Sequence, residues 1–334
     1  MILKKQKLVE NVFEKNSIEM VPTRDGYGHG VVEIGEKDKR IVVLCADLSE
    51  STRSLWFQQK FPDRYIDMGV AEQNLALVAS GLANYGKIPF ISSYATFSPG
   101  RNNEQIRTAI SLNNVPVKII GAHSGVSVGP DGATHQALED IALMRVQPNM
   151  TVLVPADMEE ARKSILESVK INGPVYIRLT REKTPVFTTK DSPFKIGKAN
   201  VLYDSEKIDA VIIACGPLVY NALLVANKLS KEGINVAVIN NHTIKPIDKE
   251  TILSYAKKAN AVVTVEEHQV AGGMGSAVAE LLAKEYPVPI EFIGVDNKFG
   301  QSGKPDELIE YYGMGVDSIK KAVQKVIKRK NLKK

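Results

Sequence analysis

From about residue 39 to residue 330, short apolar runs alternate with longer stretches whose apolar residues recur every three or four positions. Arg40–Ala46, Tyr65–Met68, Ile88–Ser92, Val117–Ala122, Thr151–Val154 and Val175–Leu179 have the length of strands. So do Ala210–Cys215, Asn235–Ile239, Ala261–Val265 and Ile290–Gly294. In Ala71–Tyr85, the residues Leu75, Val78, Leu82 and Tyr85 fall on one helical face. Met158, Ala161, Ile165 and Val169 do the same in Met158–Val169, behind a capping pair, Asp157 and Glu160. Leu218–Leu229, Lys249–Ala259 and Gly275–Ala283 are further helical windows. Strands of this length alternating with helices predict parallel βαβ units, hence an α/β fold.

A length of 334 residues suggests about two domains. The polar stretch Thr188-Thr189-Lys190-Asp191-Ser192-Pro193 punctuates the pattern. It predicts a first domain over 1–190 with a mostly parallel sheet and a smaller α/β domain over 191–334.

Charge and composition remove several classes. No apolar run approaches the roughly 18 residues of a membrane span, so no membrane partner is expected. Met1–Glu10 is polar and basic with no apolar segment behind it, unlike a secretory signal. Cys45 and Cys215 each sit inside an apolar run, which predicts buried free thiols and a reducing, cytoplasmic setting. The net charge of +5 is local: Lys320–Lys334 carries eight Lys/Arg and no acid, leaving −3 on residues 1–319. Such a run reads as a solvated helix end rather than a nucleic-acid site.

Two stretches carry chemistry. Residues 66–74 read I-D-M-G-V-A-E-Q-N and 121–136 read G-A-H-S-G-V-S-V-G-P-D-G-A-T-H-Q. The first puts Glu72 on the opening turn of a helix, behind a strand and Gly69. An acid there commonly serves only the helix terminus; equally, such turns at the carboxyl ends of parallel strands are where α/β sheets hold ligands. The second packs His123, Asp131 and His135 among glycines that permit close backbone approach, which predicts a polar pocket. Its spacing does not resemble a zinc site. Tyr94 and Phe97 are spaced to stack on a planar ring or simply to cover the sheet end. Arg101 and Arg107 are placed on the following helix. Arg181, after Val175–Leu179, stands where it can clamp an anion.

With L-E-D-I-A-L-M-R-V-Q-P-N-M at 138–150, these motifs closely resemble the transketolase family over nearly the whole chain. Residues 20–185 resemble its pyrimidine-binding domain and the remainder its C-terminal domain. Family members bind thiamine diphosphate between two chains or domains. The resemblance implies that Glu72 hydrogen-bonds the aminopyrimidine, where a shared proton favours the reactive imino tautomer, and that Tyr94 and Phe97 pack around the ring. It implies that Asp131 and His135 hold the sugar hydroxyls, with His135 also a proton relay. It implies that His123, Arg24, Ser51 and Arg181 hold the sugar phosphate.

Two departures matter. Long transketolases carry a further tyrosine near the position of Gly100. The family's diphosphate and metal signature, G-D-G followed about 25–30 residues later by Asn, is absent; Gly129-Pro130-Asp131-Gly132 belongs to the sugar loop. The resemblance therefore implies a C-terminal subunit of a split transketolase, in an α2β2 assembly with an N-terminal subunit that holds the diphosphate and Mg2+. That enzyme would act on phosphorylated ketoses and aldoses of pentose phosphate metabolism. The alternatives are an E1 β-type subunit of a 2-oxo acid dehydrogenase, which does not need the D-G-A-T-H-Q loop, and a deoxyxylulose-phosphate-synthase-like enzyme. A scaffold without activity is a third, against which the presence of Glu72, Asp131, His123 and His135 weighs.

Overall fold

A computed structural model describes residues 1–14 and 16–332. Its strands are β1 (Met20–Pro22), β2 (Ile41–Cys45), β3 (Tyr65–Asp67), β4 (Ile88–Tyr94), β5 (Lys118–Ala122), β6 (Thr151–Leu153) and β7 (Val175–Arg178). They continue with β8 (Lys183–Pro185), β9 (Asn200–Tyr203), β10 (Ala210–Ala214), β11 (Val236–Asn240), β12 (Thr243–Lys245), β13 (Val262–Gln269) and β14 (Ile290–Val295). One sheet runs in the order β12-β6-β7-β5-β4-β2-β3, a second in the order β14-β13-β10-β11-β9, and β1 pairs with β8 as a ribbon. Every pairing among β2 to β7 is parallel, as is β14-β13-β10-β11. β2, β5, β10 and β11 are buried at every residue, as strands covered by helices on both faces must be.

The helical windows form helices Glu72–Asn84, Met158–Ser168, Leu218–Lys231, Lys249–Ala259 and Met274–Glu285. The basic stretch continues the helix Val316–Asn331, where Lys325 and Arg329 pair with Glu291; Lys333 and Lys334 lie outside the described residues. One long helix, Thr23–Lys37, carries no apolar stripe in its sequence. It is instead fitted to the helix Met158–Ser168 by glycines. A Cβ on Gly26 would come within 2.2 Å of the Met158 carbonyl oxygen, and one on Gly30 within 2.9 Å of Ile165 Cβ.

The two sheets share a core. Leu44, Ile91, Ile119 and Val152 of the first lie in one buried cluster with Val211, Ile213, Ile239 and Val262 of the second. Each such side chain contributes about 1.5–3 kcal/mol by leaving water. The chain also crosses between them. β12 leaves the second sheet and pairs antiparallel with β6 of the first, while Leu3 N–H bonds the Leu202 carbonyl beside β9.

A polar knot fastens the seam. Asp157 caps its helix, accepting from Glu160 N at 2.9 Å, and its other oxygen accepts from the backbone N–H groups of Phe187 and Thr188. The sequence suggests a reciprocal capping pair, but Glu160 bonds Ala156 N rather than Asp157 N. It also accepts from Asn240 Nδ2 at 2.8 Å, across to β11. Burial pushes Asp157 up to about 6 and Glu160 up to about 7.

Glu160 thus keeps its proton in the folded protein at pH values where the unfolded chain, with an ordinary value of 4.5, has lost it. Its contribution is present at low pH and declines as pH rises to about 7. Urea unfolding of wild type and Glu160→Gln should therefore diverge across that window, wild type losing up to about 1.4 kcal/mol per pH unit relative to the variant. A pH-independent difference would refute the assignment.

Candidate functional site

A parallel sheet delivers every loop that follows a strand to one edge. The loops after β2, β3, β4, β5 and β7 therefore meet, bringing Ser51, Glu72, Tyr94, Phe97, His123, Asp131 and Arg181 to that edge from distant parts of the sequence. Arg24 enters from the first turn of the helix Thr23–Lys37.

Glu72 is placed by a tight turn. Gly69 has φ +66°, and Asp67 Oδ1 accepts from Gly69 N at 2.9 Å. The helix then starts at Glu72 with Ala71 as its cap residue. Ala71 offers no side-chain cap, and Glu72 is the one acid in the first turn of that helix. Asn102 Nδ2 holds the Glu72 backbone carbonyl at 3.0 Å. Glu72 is 2% exposed and its Oε2 has no hydrogen-bond partner. The nearest cation is Arg101 Nη1 at 3.8 Å. A buried carboxylate oxygen without a donor is costly, and the position suits a ligand that brings one. The sequence places Arg101 on a helix; it stands in the turn just before one, over the Phe97 ring.

The aromatic residues form a continuous layer. Tyr94 stacks on His123 with centroids 3.9 Å apart and lies 6.0 Å from Phe97. His135 meets Phe97 edge-on at 5.4 Å, and its Nδ1 lies 2.9 Å from Thr134 Oγ1. The missing tyrosine at Gly100 has a local cause: a Cβ there would sit 1.9 Å from the Thr96 carbonyl oxygen.

Beside this layer is a cavity of about 380 Å³, lined by Arg24, Glu50, Ser51, Arg53, Tyr94, His123, Asp131 and Arg181. All five residues to which the resemblance assigns the phosphate or sugar hydroxyls, His135 aside, are here. Glu72, Phe97 and His135 are not among its lining. Arg24 Nη1 donates to the Ser51 carbonyl at 2.8 Å and lies 3.1 Å from His123 Nε2. Arg181 Nη1 donates to the Val128 carbonyl at 3.0 Å and lies 3.3 Å from Asp131 Oδ2. His123 is buried at φ +52°. Burial, then Arg24, Arg181 and Arg53, push it down to about 3. It is therefore neutral at physiological pH. With Nε2 accepting from Arg24, its proton sits on Nδ1, a buried atom with no partner. His123 offers a ligand a neutral donor rather than a charge. Glu50, Arg53 and Asn102 belong to the site but carry no sequence signal; only proximity to Ser51 or Arg101 hints at them.

The loop 123–136 is held from behind. Gly125 N bonds the Ala137 carbonyl at 2.9 Å, and a Cβ on Gly125 would lie 2.2 Å from Glu267 Oε1. Gln136 Nε2 bonds the carbonyls of Val126 and Gln301, tying the loop to the second block. Beneath it, Asp140 Oδ2 accepts from Arg178 Nε at 2.8 Å and Tyr176 Oη at 2.7 Å. Burial opposes the Asp140 charge, yet Arg178 holds its carboxyl below the usual range. Arg178 Nη2 continues to the carbonyls of Ala137 and Glu267. Asp140→Asn leaves Arg178 buried and unpaired, so denaturant unfolding should show a loss of about 3–5 kcal/mol. A loss below about 1 kcal/mol would mean the pair is dispensable.

Comparisons with known proteins give the family. Residues 19–186 match the transketolase pyrimidine-binding domain and 197–319 the transketolase C-terminal domain. A solved split-gene transketolase, described as an inactive β4 tetramer, superposes with a TM-score of 0.86 at 45% identity, covering 93% of this chain and 99% of that one. The 6-deoxy-6-sulfo-D-fructose transketolase subunit SqwH of Clostridium sp. (strain MSTE9) is 40% identical over 93% of this chain and 96% of its own length. Transketolase of Homo sapiens is 35% identical over 92% of this chain but only 49% of its own length. This chain belongs to the transketolase family, in which it corresponds to the C-terminal section that carries the pyrimidine-binding and C-terminal domains.

Proposed function

We propose that this chain is the C-terminal subunit of a split transketolase, transferring a two-carbon ketol unit between sugar phosphates with thiamine diphosphate. The observation that carries the reading is the buried Glu72 Oε2, which has no hydrogen-bond donor, on the same sheet edge as an aromatic layer and an arginine-lined cavity. A separate N-terminal subunit holds the diphosphate and Mg2+, in an α2β2 assembly in the cytoplasm, serving pentose phosphate metabolism. Large apolar side chains exposed near Glu72 support a partner surface there: Val70 is 70% exposed and Leu77 48%. No helix among the described residues is long and apolar enough to cross a membrane.

When bound, thiamine diphosphate supplies the carbon nucleophile and electron sink for cleaving the bond beside a ketose carbonyl. Glu72 exchanges a proton with the aminopyrimidine, held in place by Asn102 through its backbone and by the turn at Gly69. Tyr94 and Phe97 pack on the ring and keep water from it. Asp131 and His135 orient the sugar hydroxyls, and His135 moves a proton at the reacting oxygens. Arg24, Ser51 and Arg181 fix the phosphate. His123 adds a neutral N–H bond, its tautomer set by Arg24.

The isolated chain should bind thiamine diphosphate weakly and lack activity, because a pyrimidine site alone encloses too little of the ligand. Calorimetric titration checks this, and tight Mg2+-dependent binding by this chain alone would reject the shared site. Adding the partner subunit should yield ketol transfer from xylulose 5-phosphate to ribose 5-phosphate.

Glu72→Gln should fold and should lower kcat of the reconstituted complex by roughly 10²–10⁴-fold. Turnover close to wild type at saturating cofactor would assign Glu72 a structural role instead.

A further inference from the structure

Arg53 lines the same cavity as Arg24 and Arg181. Its backbone has φ +74° and ψ +8°, at the joint between the short helix Ser49–Thr52 and the helix Ser54–Lys60. Glycine or asparagine is the usual residue in that left-handed conformation, so an arginine is held there against the preference of its backbone. The side chain turns inward. Nε donates to Asp25 Oδ1 at 2.6 Å and Nη1 to the Glu50 carbonyl at 3.2 Å. Neither bond uses Nη2. Asp25 directly follows Arg24, so the carboxylate that tethers Arg53 also draws it toward Arg24.

The charge of the cavity depends on this residue. With His123 neutral, the lining holds three guanidiniums, Arg24, Arg53 and Arg181, and two carboxylates, Glu50 and Asp131; Asp25, paired with Arg53, brings the balance to zero. Without Arg53 the same set of groups carries −1. Its field reaches the other groups: behind the larger effect of burial, Arg53 adds to the lowering of both Arg24 and His123.

A phosphate monoester loses its second proton near pH 6 and carries close to two negative charges at neutral pH, to about pH 7. A sulfonate of similar shape carries one. A site one unit more positive with Arg53 than without it favours the dianion over the monoanion, and the unused Nη2 is a donor it can offer. We infer that Arg53 determines specificity, selecting sugars that end in a dianionic phosphate over those that end in a monoanion such as a sulfonate. This rests on the proposed reading of the cavity as the sugar-phosphate site. It assigns a role to a residue that the family resemblance leaves without one.

The test uses the reconstituted two-subunit enzyme and a matched pair of donors, fructose 6-phosphate and 6-deoxy-6-sulfofructose. Wild type is measured first, and absence of transfer from both donors would sink the site reading itself. With transfer established, wild type should prefer the phosphate. That preference should shrink as pH falls from about 7 to about 5 and the phosphate regains a proton. Arg53→Met, which keeps the aliphatic stem, should lower the phosphate-to-sulfonate ratio of kcat/KM about tenfold and flatten its pH profile. Arg53→Lys, which keeps the charge, should restore much of the ratio. Equal losses on both donors in Arg53→Met would reduce Arg53 to a structural tether and overturn the inference. A wild-type ratio that does not change with pH would overturn it too, and that measurement requires no variant to fold.

Discussion

Asp140 and Arg178 form an ion pair that is 1% and 2% exposed at its two side chains, in the seam between the sheets. Two charges withdrawn from water are tolerated only when nearly every bonding position is filled. Arg178 answers by reaching Asp140, Ala137 and Glu267 at once, while Asp140 bonds through Oδ2 and keeps Oδ1 without a hydrogen-bond partner. One guanidinium thereby joins the end of β7, the far end of the loop 123–136 and β13 of the second sheet. Because the pair is so costly to distort, the loop has little freedom at its base. The second block is therefore part of the site's support even though it contributes no residue to the cavity lining.

Electrostatics within the cavity follow from the same burial. Histidine in water changes charge within the physiological range. Here burial and three arginines keep His123 neutral. A protonated His123 would add a fourth cation against Arg24, whose own affinity for its proton is already lowered by burial and by Arg53. The result is a fixed pattern of donors: charged where the arginines stand, neutral at His123 Nδ1. Asp131 balances Arg181 and stays about one third exposed.

The surroundings of Glu72 are governed by a deficit. Glu72 is 2% exposed, its backbone carbonyl is held by Asn102, and it is left without a donor on Oε2. Arg101 approaches but remains at 3.8 Å, outside hydrogen-bond range. Folded proteins seldom keep such an oxygen without a purpose. The exposed Val70 and Leu77 nearby extend the same logic from a single atom to a surface. Family membership and a chain about half the length of human transketolase fit that picture.

Local pattern was enough for much of this protein. Strands β2, β4, β5, β7, β10 and β11 and the helices from Glu72, Met158, Leu218 and Lys249 show their periodicity in consecutive residues, because what makes them is which side of a short element meets water. Parallel βαβ order then carries Glu72, Asp131, His123, His135 and Arg181 to one sheet edge with no further information. Other features depend on partners far away in the chain. The helix Thr23–Lys37 is invisible to an apolar stripe because its glycines answer to a helix more than a hundred residues later. β1, β8, β9 and β12 are too short to show a pattern, and pairing with distant strands defines them. Arg53 and Glu50 become site residues only when the loop after β2 folds over Arg24. The proton state of His123 is likewise tertiary: a sequence names the imidazole, but burial and the surrounding charges decide whether it carries one, and both are set by which remote segments close over it.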